Sequence, residues 1–96
     1  MLIQNKLDGK HGMFYVEENG KNLAEMVYTM AKPDVMIIDH TEVDESLEGK
    51  GVGKQLVYAA VENARTNNIK IIPMCPFANS VFKRVTEWQD VLLKDK

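Results

Sequence analysis

Cysteine is almost missing from this chain of 96 residues: Cys75 stands alone, so no internal disulfide can form. Two histidines and one cysteine offer no zinc-type spacing, and no metal site is expected. Excess positive charge is missing as well. Twelve Lys and Arg face fourteen Asp and Glu, a net charge of −2, which argues against the basic face that a nucleic-acid partner requires. No apolar run approaches the roughly 20 residues that cross a bilayer. The opening MLIQNK carries no apolar segment of secretory type. No repeat, low-complexity tract or linker interrupts the sequence. These absences predict one domain over residues 1–96, soluble and cytoplasmic, with no membrane partner. The six methionines read as adaptable packing. No exposed heptad or long apolar edge fixes an oligomeric state.

What is present begins strand-rich. Met13 to Glu17 reads as a strand, Glu18-Asn19-Gly20-Lys21 as a turn, and Leu23 to Met30 as the returning arm. Lys32-Pro33-Asp34 is a second turn, followed by a third antiparallel strand, Val35 to Val43. After an acidic link comes a helix from Gly51 to about Asn67. Its apolar positions Val52, Leu56, Val57, Ala60, Val61 and Ala64 recur at helical spacing. Asn67-Asn68 is a plausible stop, because asparagine tolerates the left-handed cap. Ile69 to Met74 reads as a buried strand, parallel to Val35–Val43 because a helix crossover joins them. A short helix over Ala78 to Arg84 and an element of open type over Trp88 to Leu93 complete an α+β domain with a mixed sheet.

The segment LEGKGVGKQL, Leu47 to Leu56, carries the strongest chemical signal. Gly49, Gly51 and Gly53 alternate just before a helix. The first N–H groups of that helix have no intrahelical acceptor, and its dipole adds partial positive charge there. Strand, glycine turn and helix start together make a cradle for an anion, most often a phosphate. Two better-known phosphate loops do not fit. Only three residues separate Gly49 from Gly53, and Gln55 follows Lys54, so the P-loop pattern fails. The dinucleotide pattern G-x-G-x-x-G fails too, ending on Lys54 or Leu56. Glycines that only make a turn and pack a helix are the plainer alternative.

Further residues support a resemblance. Glu48-x-x-Gly51-x-Gly53, followed by Leu56 and Val57, resembles the Gln/Arg-x-x-Gly-x-Gly/Ala signature of the GNAT superfamily of N-acetyltransferases. His40-Thr41-Glu42-Val43 before the loop and Cys75-Pro76-Phe77 after the next strand are similar to segments of that superfamily's minimal single-domain members. The resemblance covers nearly the whole chain. It implies a GNAT-like sheet, acetyl-coenzyme A as cofactor, and transfer of its acetyl group to a primary amine, either a protein lysine or a small amine. It also implies that the strands Val35–Val43 and Ile69–Cys75 splay apart to admit the pantetheine arm. Main-chain groups near Glu42 and Val43 would pair with that arm, and the Val43 N–H would face the oxyanion. Backbone donors from Lys50, Gly51, Val52, Gly53 and Lys54 would hold the diphosphate, with Asn79 and Phe82 also meeting the coenzyme. Glu48 departs from the signature, placing an acid where the superfamily has Arg or Gln and predicting weaker affinity.

Two side chains are candidates for catalysis. His40 could accept a proton from the amine, since a neutral imidazole is available at neutral pH. It could equally be a histidine that makes one hydrogen bond on a sheet. Cys75 could take the acetyl group as a nucleophile, if His40 or a helix N-terminus favours its thiolate. It could also line the acetyl pocket or pack as a small hydrophobe. The acids Asp39, Glu42, Asp44, Glu45 and Glu48 would attract a cationic acceptor, or simply form a solvated loop. Lys83-Arg84 could meet the 3′-phosphate of coenzyme A. Two other classes stay open: a non-catalytic module that binds coenzyme A or its thioester, and an interaction domain without cofactor.

Overall fold

A computed structural model describes residues 1–94. Five strands lie in sequence order: β1 (Gln4–Asp8), β2 (His11–Glu18), β3 (Lys21–Lys32), β4 (Val35–Val43) and β5 (Lys70–Pro73). The first four pair antiparallel, and β5 joins β4 in parallel through the crossover helix α1 (Val52–Asn67). Helix α2 (Pro76–Arg84) follows, then a 3₁₀ segment, Thr86–Val91. This is the expected α+β mixed sheet.

Local chemistry accounts for most boundaries. Asn19 and Gly20, at φ of 54° and 77°, are the two left-handed residues that a tight hairpin matched to the sheet's twist requires. Helix α1 buries all six expected residues, Val52 through Ala64, and ends on Asn68 at φ 55°, whose N–H donates to the Ala64 carbonyl. Proline leads α2 at Pro76, two residues before the expected start, because its missing N–H costs nothing in a first turn. The residues Trp88 to Leu93 divide into the 3₁₀ segment and a bridge from Leu92 to Ile71.

One strand was not expected. QNKLD over β1 is polar and exposed; it is a strand because it pairs along its whole length with β2, from Gln4–Tyr15 to Asp8–His11. Pairing partners, not intrinsic preference, decide such an edge.

The core lies between the sheet and α1, where Leu56, Val57, Ala60 and Val61 meet Phe14, Val16, Met26, Met36 and Ile38. Tyr28 is buried there too. Its hydroxyl donates to Asn5 Oδ1 at 2.7 Å, and burial raises its pKa above the ordinary phenol value. Its ring has room only because residue 12 is glycine: a Cβ there would stand 2.4 Å from the Tyr28 ring.

Strand β4 contains an irregularity that governs the site. Val27 pairs with His40 but Tyr28 pairs with Ile38, so Asp39 is an extra residue, a β-bulge. Before it, Met36 and Ile38 face the helices. After it the parity changes: Thr41 turns to the helix side, and His40 and Glu42 turn to the opposite face.

Candidate active site

Pairing between β4 and β5 stops at Ile38–Pro73. The Cys75 N–H makes one further bond, to the Ile38 carbonyl at 3.0 Å, and β5 then leaves as α2. From Asp39 to Val43 that edge of β4 has no strand beside it among the described residues. The Asp44 N–H donates to Leu23 of β3 at 2.8 Å, so strand alternation turns the Val43 N–H the other way, into the gap. The expected splay is thus present, with Val43 at its lip.

A cleft of about 380 Å³ runs from this gap to the helix mouth, walled by Thr41, Val43, the glycine loop, Lys54, Phe77 and Arg84. Gln55 makes the first intrahelical bond, to Gly51. The N–H groups of Gly51, Val52, Gly53 and Lys54 have no acceptor among the described residues. Lys50 differs from expectation: its N–H is already bonded to the Leu47 carbonyl at 3.3 Å, so it is not a free donor.

The three glycines have two distinct reasons. Gly49 and Gly51 take φ of 78° and 71°, a region that side chains resist. Gly53 is helical, and a Cβ there would stand 2.6 Å from the Phe77 ring, which packs on it. Nothing in the glycine spacing pointed to Phe77; the Cys-Pro-aromatic segment was the available signal.

Several expected site residues are placed elsewhere. Phe82 is 2% exposed and belongs to the core, so it does not meet the cleft. Asn79 is half-buried and donates from Nδ2 to the Pro73 carbonyl at 3.4 Å, tying α2 to the end of β5. Cys75 is 3% exposed and lies behind Thr41, whose Oγ1 is 3.5 Å from its sulfur. Arg84 reaches the cleft wall, and Lys83 does not take part in it. Glu48 is at the wall, as its place in the motif implied.

His40 and Cys75 are not together. His40 lies on the opposite sheet face, its Nε2 3.9 Å from Glu25 Oε2. Glu25 pairs across the strands with Glu42, and donor atoms of Glu25, His40 and Glu42 all lie within 4.8 Å of one another. A groove of about 230 Å³ adjoins them, lined by Glu25, Glu42, Val43 and Asp44. Val43 therefore borders both hollows. The role of Glu25 was missed because only the register of β3 against β4 brings it there.

Asp44 anchors the approach to the glycine loop. Its Oδ2 accepts from the Ser46 N–H at 3.0 Å and the Ser46 hydroxyl at 2.6 Å. The hydroxyl bond chiefly, then the amide bond, lowers its pKa below the ordinary carboxylate value. The anchoring is therefore complete above the ordinary aspartate range and fades as pH falls through the lowered folded value. In an NMR titration, the Asp44 carboxyl should show a midpoint below that of an unperturbed aspartate, the Ser46 amide should move with it, and Ser46→Ala should return the midpoint upward. A normal Asp44 midpoint in the unsubstituted chain contradicts this.

A mixed sheet whose parallel seam opens beside a glycine-led helix is the fold shared by GNAT acetyltransferases. The model of the GCN5-related N-acetyl-transferase family matches residues 13–91, and the chain belongs to that family. Its enzymes transfer acetyl groups from acetyl-coenzyme A. The NMR structure of a GCN5-like protein from Staphylococcus aureus, assigned as an N-acetyltransferase, is 38% identical with a TM-score of 0.72, over 97% of this chain and 90% of its own. Tetrahymena GCN5 is 18% identical with a TM-score of 0.63, over 93% and 64%. A predicted acetyltransferase from Clostridium acetobutylicum, solved with acetyl-coenzyme A, is 18% identical with a TM-score of 0.62, over 90% and 59%. These last two show likeness of fold alone. No curated protein matches the chain. No helix among the described residues is long and apolar enough to cross a membrane.

Proposed function

We propose that this protein transfers an acetyl group from acetyl-coenzyme A directly to a primary amine, with the two reactants entering from opposite faces of the sheet. One observation carries the reading: the β4–β5 seam ends at Ile38–Pro73, beside four N–H groups at the mouth of α1 that have no acceptor among the described residues. Those donors, from Gly51 to Lys54, suit the diphosphate of the coenzyme, and Lys54 and Arg84 supply positive charge at the same wall. The coenzyme supplies an acetyl thioester. The Val43 N–H faces the gap, where it would donate to the carbonyl oxygen as negative charge builds on it. The amine would approach through the groove on the other face, where Glu25, Glu42 and Asp44 favour its ammonium form, and it would give one proton to solvent there to attack as the neutral amine. His40, beside Glu25, is on that side and would take the proton released as nitrogen bonds to carbon. The carbon–sulfur bond then breaks, coenzyme A leaves as the thiolate and takes a proton from solvent, and His40 returns its proton to solvent.

This arrangement favours direct transfer over an acetyl-cysteine route, because Cys75 is sealed behind Thr41. Acetyl-coenzyme A should raise the melting temperature, and an amine panel should release free coenzyme A. His40→Gln should lower kcat by about 10²–10⁴, the usual contribution of a general base. Cys75→Ser should retain most of the rate. The opposite result, with the serine variant inactive and the glutamine variant unaffected, would overturn direct transfer. Stabilisation by the coenzyme without turnover on any amine would instead mark a binding module.

A further inference from the structure

Trp88 is the chain's only tryptophan. Its ring lies 5.2 Å from that of Tyr58 on α1, with a tilt of 34°. Tyr58 is 44% exposed, and Trp88 is half-buried, packed at the margin of the core. The Lys54 Nζ, one helical turn before Tyr58, stands 5.9 Å from the centre of the Trp88 ring. Lys54 is also a wall of the cleft, as is Arg84, four positions before Trp88. The aromatic pair is therefore joined through Lys54 to the wall of the cleft where the coenzyme's phosphates are assigned.

The segment that carries Trp88 is firmly held. Arg65 donates to both carboxylate oxygens of Asp90, at 3.1 and 2.8 Å, and to the Glu87 carbonyl at 2.9 Å. Gln89 donates to the Phe82 carbonyl at 2.8 Å. Residues on both sides of the indole are thus fixed to α1 and α2, so little ordering is left for binding to cost.

From this geometry we propose that Tyr58 and Trp88 form the platform on which the adenine base of the coenzyme stacks, with Lys54 as the exchangeable member of the site. The inference rests on the coenzyme reading above and assigns the adenine, a part of the ligand that reading leaves without a partner. A purine offers a flat π-face to an aromatic ring, and such stacking tolerates any base. Lys54 is itself exposed, so its ammonium is held over the indole only weakly. When a phosphate group arrives, the Lys54 ammonium moves to it and clears the indole face for the base.

Trp88 reports on its own occupancy. Titration of the full chain with adenosine 3′,5′-bisphosphate should quench its emission saturably, and 4′-phosphopantetheine, which lacks the base, should not. By calorimetry, Tyr58→Ala and Trp88→Leu should each weaken coenzyme A binding about tenfold and leave 4′-phosphopantetheine binding unchanged. Coenzyme binding with no change in emission overturns the platform. So does equal weakening of both ligands, which marks a packing role. If neither coenzyme A nor its fragments bind, the coenzyme reading itself fails and takes the platform with it.

Discussion

Phe82→Ala should cost about 3–5 kcal/mol of stability, the range for truncating a fully buried phenylalanine. The ring is 2% exposed and lies among Ala78, Val81 and the α1 stripe. Small domains are stable by only about 5–15 kcal/mol, so this one change removes a large share. At roughly 4 °C or more per kcal/mol in a domain of this size, the melting temperature should fall by at least about 12 °C. Phe77, 39% exposed, is the contrast: its alanine variant should melt much nearer the parent. Thermal melts of the two variants check the assignment. A Phe82→Ala protein that melts normally but no longer binds coenzyme would return Phe82 to the ligand.

Gly51→Val should remove coenzyme binding while leaving the chain folded. Gly51 caps α1 at φ 71°, and a β-branched residue resists that conformation. The strain is of order 1–3 kcal/mol, below the total stability. Relief of that strain requires the backbone to turn, and the turn re-aims the N–H groups that the mouth of α1 offers. Added methyl groups would also stand in the cleft wall. Losing a set of charge-assisted hydrogen bonds worth roughly 1.5–3 kcal/mol each predicts at least a hundredfold weaker binding. Gly20→Val provides the control, because Gly20 has φ 77° in the β2–β3 turn, far in sequence from the cleft. It should lose comparable stability and keep its affinity. Equal loss of binding in both variants would show that strain alone is responsible.

Much of this architecture was legible in the residues. The α1 stripe could be read because six apolar residues at helical spacing have one solution, a buried face. The parallel seam followed from a helix crossover. The glycine loop announced its unpaired donors through backbone rules that need no tertiary information. The rest depends on partners that no local pattern names. Polar β1 is a strand only because β2 lies beside it. Side-chain alternation from Met36 and Ile38 would place His40 and Glu42 on the helix side, with Cys75. The Asp39 bulge inserts one residue and reverses that, so a single irregularity separates the two candidate catalytic groups. Neither a bulge nor the register that brings Glu25 to His40 has a signature in the residues themselves.

The strand order has a consequence for how the molecule assembles. Strands β1 to β4 each lie beside their predecessor in the chain, so three hairpins can close quickly over short loops. Strand β5 must wait for α1 to form and dock, and it then gains only four paired positions. Where that pairing ends, at Ile38–Pro73, the β4 edge is no longer held by a neighbouring strand, and local opening should concentrate there. The fork proposed to admit a long, flexible chain thus begins where the sheet's own pairing stops.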